Sequence, residues 1–309
     1  MIKKVMRSRW LVAGMVMAVS TCLVSKAQAG SFTDFESFAL GSVNGQGGWS
    51  ATNANIDQGV VDDGTGNQVW RISNAVTGSS FGDMPFAPRP GGIPSLPLDP
   101  TNSMPNEFAG EGSTGATYNR YFTEFDFQSA TGAAQAGLSI TLSPDNGSGG
   151  RQGFVDIEDN GSSLEIITYD VDSSGNFVGP TTISTGLSYT DWHTLGIEVL
   201  FMDGVENDVV NYYVNNSLVY SGTSWEQFYA IHQPALQPLG VPVQTTLFRV
   251  SGTAATGTLG GGLYIDNVLT EVNNVNAVPE PSSMVLLGIG MVGLAGYGMR
   301  RRKQRQAVA

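Results

Sequence analysis

Two short stretches set acids two residues apart where the pattern reads as β-strand, so that both side chains project from one face. They are Glu124-Phe125-Asp126 and Asp156-Ile157-Glu158. Two carboxyls on one face are the minimal equipment for cleaving a glycosidic bond, one as proton donor and one as nucleophile, at a separation of about 5 Å. Gln128 stands where a third acid would complete the first series, and Asp159-Asn160 follow the second. A cation such as Arg120 or Arg151 would have to face either pair. Phe125 and Phe127 alternating with Glu124 and Asp126 also describe any half-buried strand, and that plainer reading carries more weight. Catalysis is the minority expectation.

Oxygen donors gather again in Asp170-Val171-Asp172-Ser173-Ser174-Gly175, with side-chain oxygens at positions 1, 3 and 5 of a loop and glycine at 6. This matches the first half of a calcium loop, making Asp170, Asp172 and Ser174 candidate ligands and calcium the one cofactor suggested. Position 12 is Thr181 rather than a bidentate Glu, and Asp, Ser and Gly are also the residues of a plain β-turn. Asp62-Asp63-Gly64-Thr65-Gly66-Asn67 has the same two readings. A sugar would want aromatic faces beside polar groups. Trp225, Phe228 and Tyr229, next to Glu226 and Gln227, supply them, so Trp225 and Tyr229 join Glu124 and Asp126 as candidate ligand contacts. Trp49, Trp70 and Trp192 are expected in the core. The two histidines, His193 and His232, have no zinc spacing, and no Gly-x-Ser-x-Gly elbow occurs.

The elements that must carry these residues are strands. Period-two runs rich in Val, Ile, Tyr, Phe and Thr are predicted at 68–76, 118–128, 137–142, 153–158, 164–171, 193–201, 209–214, 217–220, 246–250 and 262–272. Asn215-Asn216 should turn a hairpin between 209 and 220, and only 225–231 suggests a helical turn. Such spacing predicts an all-β chain folded as a two-sheet antiparallel sandwich. Residues 81–115 hold half of the 14 prolines, and the pattern predicts a long irregular loop there.

Both ends read as targeting segments. Lys3, Lys4, Arg7 and Arg9, an apolar run and Ala27-Gln28-Ala29 predict a signal peptide over 1–29. At the other end Val278-Pro279-Glu280-Pro281 precedes an apolar run over 284–299, expected to span a membrane, and a basic tail over 300–305 expected to stay cytoplasmic. Between Gly30 and Val278 the chain keeps five arginines, no lysine and 26 acids, a net charge of about −21. Such a surface repels phosphate backbones and excludes nucleic acid as a partner. The single cysteine, Cys22, lies in the leader, so the body holds neither disulfide nor thiol chemistry.

The C-terminal segment resembles the PEP-CTERM sorting signal of Gram-negative bacteria. That resemblance implies export, recognition of Pro279-Glu280-Pro281 by an exosortase-type processing enzyme, transient anchoring through the C-terminal helix, and delivery to the cell surface, outer membrane or extracellular matrix. The motif is sometimes labelled after ice-binding proteins, but the body shows no Thr-x-Thr array. Asp34-Phe35-Glu36-Ser37 with Gly45-Gln46-Gly47-Gly48-Trp49, Trp192-His193-Thr194-Leu195-Gly196-Ile197-Glu198, and Gly262-Leu263-Tyr264-Ile265-Asp266-Asn267-Val268 resemble the concanavalin A-like (LamG-type) jelly roll. The expected organisation is a jelly-roll body over 30–272, a spacer at 273–277 and the sorting signal at 278–305. That fold hosts binding modules and enzymes alike. The preferred reading is a surface or matrix component that binds polysaccharide. A polysaccharide hydrolase or lyase using one of the acid pairs, and a purely structural surface protein, remain the alternatives.

Overall fold

The computed structural model describes residues 29–51, 56–77, 85–91, 108–111, 118–204, 206–234, 241–250 and 252–275. Residues 1–28 of the predicted signal peptide, the membrane segment, and Pro279, Glu280 and Pro281 therefore lie outside the described residues, whereas Ala29, its expected last residue, opens the first strand. In chain order the strands are β1 (Ala29–Thr33), β2 (Ser50–Ala51), β3 (Gln58–Asp62), β4 (Gln68–Ile72) and β5 (Pro85–Phe86). Next come β6 (Arg120–Ser129), β7 (Ser139–Asp145), β8 (Val155–Asp159), β9 (Leu164–Val171) and β10 (Phe177–Leu187). The last are β11 (His193–Leu200), β12 (Val209–Val214), β13 (Ser217–Thr223), β14 (Thr245–Arg249) and β15 (Leu263–Asn273), with the short helix α1 (Glu226–His232) before β14.

They form two antiparallel sheets. The eight-stranded sheet runs β13-β12-β11-β6-β15-β4-β3, with β1 also paired to β15, and the seven-stranded sheet runs β10-β9-β8-β7-β14-β5-β2. The chain crosses repeatedly between the two, which makes a jelly-roll sandwich, the class expected from the sequence. On β15 the register breaks between Asp266 and Leu269, where Asn267 adopts φ 52°. On one side of this bulge β4 pairs with Leu263–Ile265, and on the other β1 pairs with Val268–Val272.

Alternation decides what faces the core. On β6, Tyr121, Thr123, Phe125, Phe127 and Ser129 are buried, while Phe122, Glu124, Asp126 and Gln128 lie half-buried on the outer face. An aromatic group joins the sheets. Phe248 of β14 meets Trp70 of β4 edge-on at 5.0 Å, Trp49 at 5.7 Å and Phe125 of β6 at 5.5 Å. Beside it the Tyr121 and Thr246 hydroxyls lie 2.8 Å apart, and Thr246 donates to Thr123 at 2.7 Å, so polar groups buried between the sheets stay satisfied. Asn215 (φ 49°) and Asn216 (φ 63°) turn the β12–β13 hairpin as expected, since two left-handed residues match the twist of the strands they join.

Three expectations change. Trp192 is not core but 38% exposed, because the alternation of β11 turns His193 inward and its predecessor outward. His193 packs on Phe127 at 5.6 Å and its Nε2 meets the Ser188 carbonyl at 3.0 Å. Within 81–115, Pro85–Phe86 forms a strand paired with β2 and β14, and Ala109 exchanges backbone hydrogen bonds with Val243. The sequence reading also passed over β3 and the eleven-residue β10.

At the edge of the larger sheet, Arg71 donates to both Asp57 oxygens at 2.5 and 2.9 Å. Asp57 also accepts from Ser73 at 2.6 Å and from the Gly260 N–H at 2.9 Å. Burial opposes its ionisation, but these donors outweigh burial and hold the carboxyl at about 2. Its folded pKa lies below its unfolded one, so the stability it contributes is complete above about pH 4 and is lost as pH falls toward 2. Thermal unfolding of Asp57→Asn should therefore show a lower Tm than wild type at pH 7 and a smaller difference at pH 2. Phe248→Ala, which empties the inter-sheet aromatic group, should cost about 3–5 kcal/mol in denaturant unfolding.

Candidate functional site

The pairing of four strands writes one line of side chains across the outer face of the seven-stranded sheet. Arg249 of β14 pairs with Thr141 of β7, Thr141 with Asp156 of β8, and Asp156 with Ile167 of β9. Each faces outward because its chain neighbours, among them Phe248, Ile140, Leu142, Val155, Ile157 and Ile166, are buried between the sheets. Tyr169 shares the face, two residues beyond Ile167. Arg151 and Phe154 reach the same place from the segment before β8, Phe177 from the start of β10, and Trp225 from the residue before α1. Together they line a groove of about 420 Å³.

Thr141 donates to Asp156 Oδ1 at 2.5 Å. Burial is the main force on this carboxyl. The Thr141 hydrogen bond and the charges of Arg249 and Arg151 pull its pKa down, Glu158 pushes it up, and the balance leaves it at about 6. Burial and then the neighbouring Arg151 push the Arg249 pKa below its ordinary value, while Asp156 raises it. Arg151 is anchored from behind: its N–H donates to the Tyr229 hydroxyl at 2.7 Å and its Nε lies 3.9 Å from Asp145 Oδ2. Asp145 is fully buried and accepts from Gly147 and Gly149. The Nε atom of Arg151 is itself buried with no hydrogen-bond partner. Rings form one wall. Phe154 stacks on Tyr169 at 5.1 Å, and Trp225 meets Phe177 edge-on at 4.7 Å and Phe154 at 5.5 Å.

The predicted residues divide among several places. Asp156 and Arg151 meet in this groove, and Glu158 lies on the same face. Glu124 and Asp126 lie on the outer face of the other sheet. There Asp126 accepts from Thr194 at 2.7 Å and from Asn267 at 2.9 Å. Burial, then Asp126 and Glu271, raise the Glu124 pKa. Arg120 does not face that pair, because it is held by Glu198 and by Glu271 at 2.7 Å and lies over the Phe122 ring. Trp225 lines the groove with only 9% of its surface exposed, and Tyr229 is buried beneath it. Asp170 accepts from the Tyr220 hydroxyl and from the Thr223 N–H at 3.0 Å. Asp172 accepts from Ser174 and Asn176, each at 2.9 Å, as the turn residue between β9 and β10. Asp62 and Asp63 do the same for the β3–β4 turn. Sequence reasoning missed Arg249, Thr141, Tyr169, Phe154 and Phe177. The available signal was that Arg249 is one of only five arginines in the body and ends a predicted strand.

A family described as "PEP-CTERM protein-sorting motif" matches residues 277–303. The chain carries a PEP-CTERM sorting motif. It implies export, surface-directed sorting and processing by an exosortase-type system. Among the described residues no helix is long and apolar enough to cross a membrane. No curated protein matches the chain. Solved structures with a similar course include a sialidase (8% identity, TM-score 0.42), of which the chain covers only 18% while 79% of the chain is aligned. Another is "Cellulose induced protein, Cip1" (11%, TM-score 0.41, 80% of this chain and 99% of that one). A third is alginate lyase vAL-1 from Chlorella virus (13%, TM-score 0.40, 76% and 99%). Likenesses this distant bear on no ligand.

The groove's electrostatics can be checked directly. In a carboxyl-detected NMR titration Asp156 should titrate near 6, and removing the positive charge with Arg249→Met should move it upward.

Proposed function

We propose that the protein is an exported surface or matrix component whose sandwich binds an acidic polysaccharide strand in the outer groove of the seven-stranded sheet. One observation carries this reading. In a body with five arginines, no lysine and 26 acids, Arg151 and Arg249 converge on a single groove that is walled by rings. Guanidinium groups match carboxylate geometry, and pyranose C–H faces pack on aromatic rings. Phe177, 44% exposed, offers such a face, and the buried Trp225 Nε1 has no hydrogen-bond partner among the described residues. In this reading Trp225 contributes the edge of its ring, and Tyr229 holds Arg151 in place.

Sorting completes the proposal. The apolar stretch 284–299 holds the chain in the membrane, with Arg300–Arg305 on the cytoplasmic side, until an exosortase-type enzyme acts at Pro279-Glu280-Pro281. A second reading, cleavage of the same polysaccharide, is favoured by one feature. Asp156 has a carboxyl near 6 in the groove, with Glu158 two residues on, and an acid so poised can give or take a proton near neutral pH.

Binding of the protein to polygalacturonate and to a neutral β-glucan tests both. The acidic polymer should bind preferentially, and Arg249→Ala should weaken it about 10- to 100-fold, the worth of a charged hydrogen bond. Affinity should rise as pH falls through about 6, because protonated Asp156 no longer repels a uronate, and Asp156→Asn should show the same gain at pH 7. Equal binding of both polymers would overturn recognition through the arginines, and binding of neither would return the protein to a structural role. Release of new chain ends, abolished by Asp156→Asn, would make it an enzyme.

A further inference from the structure

A second group of acids lies behind α1, away from the groove floor. Glu111 follows the Ala109 bridge, Asp208 closes the loop before β12, and Glu226 opens α1. One carboxylate oxygen from each lies within 4.8 Å of the other two. Asp208 and Glu226 are each only 4% exposed. Asp208 Oδ1 accepts the Met202 N–H at 2.8 Å and Glu226 Oε2 accepts the Asn207 N–H at 3.3 Å. Their other oxygens, Asp208 Oδ2 and Glu226 Oε1, are buried with no hydrogen-bond partner among the described residues. A buried carboxylate oxygen without a donor costs far more than an exposed one, and two facing a third acid compound the cost.

We infer that Glu111, Asp208 and Glu226 bind a calcium ion that fastens the loop before β12 and the start of α1 to the segment around Ala109. All three donors are hard oxygens, with no nitrogen or sulfur ligand among them, which selects calcium or magnesium over zinc and copper. Oxygens on opposite sides of an ion held at 2.3–2.6 Å lie about 5 Å apart, close to the observed spread. Calcium accepts the irregular arrangement of three side chains from three segments, completed by water, more readily than octahedral magnesium does. The pocket beside Asp208 and Glu226, about 280 Å³, leaves room for those waters. Asp172 also lines that pocket, but the Asp170 and Asp172 carboxylates already accept hydrogen bonds from the chain, and the site stands whether or not the groove binds a glycan.

The test is calcium titration of the full chain, followed by calorimetry and thermal unfolding with magnesium in parallel. Wild type should bind one calcium ion, and Tm should rise by about 5–10 °C at calcium a hundredfold above Kd. Asp208→Asn should unfold no earlier than wild type without calcium, since its amide oxygen can keep the Met202 hydrogen bond while the oxygen lacking a donor is removed, yet lose the calcium-induced rise. Glu226→Gln should weaken calcium binding at least tenfold, and Asp172→Asn should leave it unchanged. The inference is overturned if wild type binds no calcium at millimolar concentration. It is equally overturned if Asp208→Asn keeps the full rise, or if Asp172→Asn abolishes it.

Discussion

The line from Arg249 through Thr141 and Asp156 to Ile167 holds only because β14, β7, β8 and β9 pair in continuous register. A slip of one residue on β8 would carry Ile157 to the surface and drive Asp156 between the sheets, against Val155's present neighbours. The hydrophobic face forbids that slip. The polar face thus inherits its geometry from the core: no groove residue on these strands needs a hydrogen bond of its own to be correctly placed. In this sheet the register shifts among the described residues fall at the outer strand β10, against β9.

Much of this was legible from residue pattern. The spans 164–171 and 209–214 coincide with β9 and β12, and Asn215-Asn216 announced its own turn. What escaped had physical reasons. β10 contains Gly179, Pro180 and Gly186 and exposes most of its residues, as an edge strand can, so its sequence lacks the alternation that marks half-buried strands. β5 is two residues long and opens on Pro85. The acids of the predicted calcium loop were chemically right for an ion but are equally right for a turn, and local hydrogen bonds take their oxygens. Glu111, Asp208 and Glu226 are separated by 97 and 18 positions in the chain, a distance that no spacing rule spans.

Scarcity of positive charge gives the arginines unusual leverage. Arg71 ties Asp57 to the carbonyl of Gly261, and Arg120 neutralises Glu198 and Glu271 across three strands. In a body with so many acids, these two cations stabilise an edge and a face where repulsion would otherwise accumulate. Arg151 and Arg249 instead gather in one groove, beside Asp156.

β15 also has a mechanical meaning. It is an inner strand, with β6 along one side and β1 and β4 sharing the other, and the sorting motif follows it in sequence from residue 277. A load applied to the chain beyond Asn273 runs parallel to β15 and strains both ladders at once in shear, rather than peeling bonds one by one.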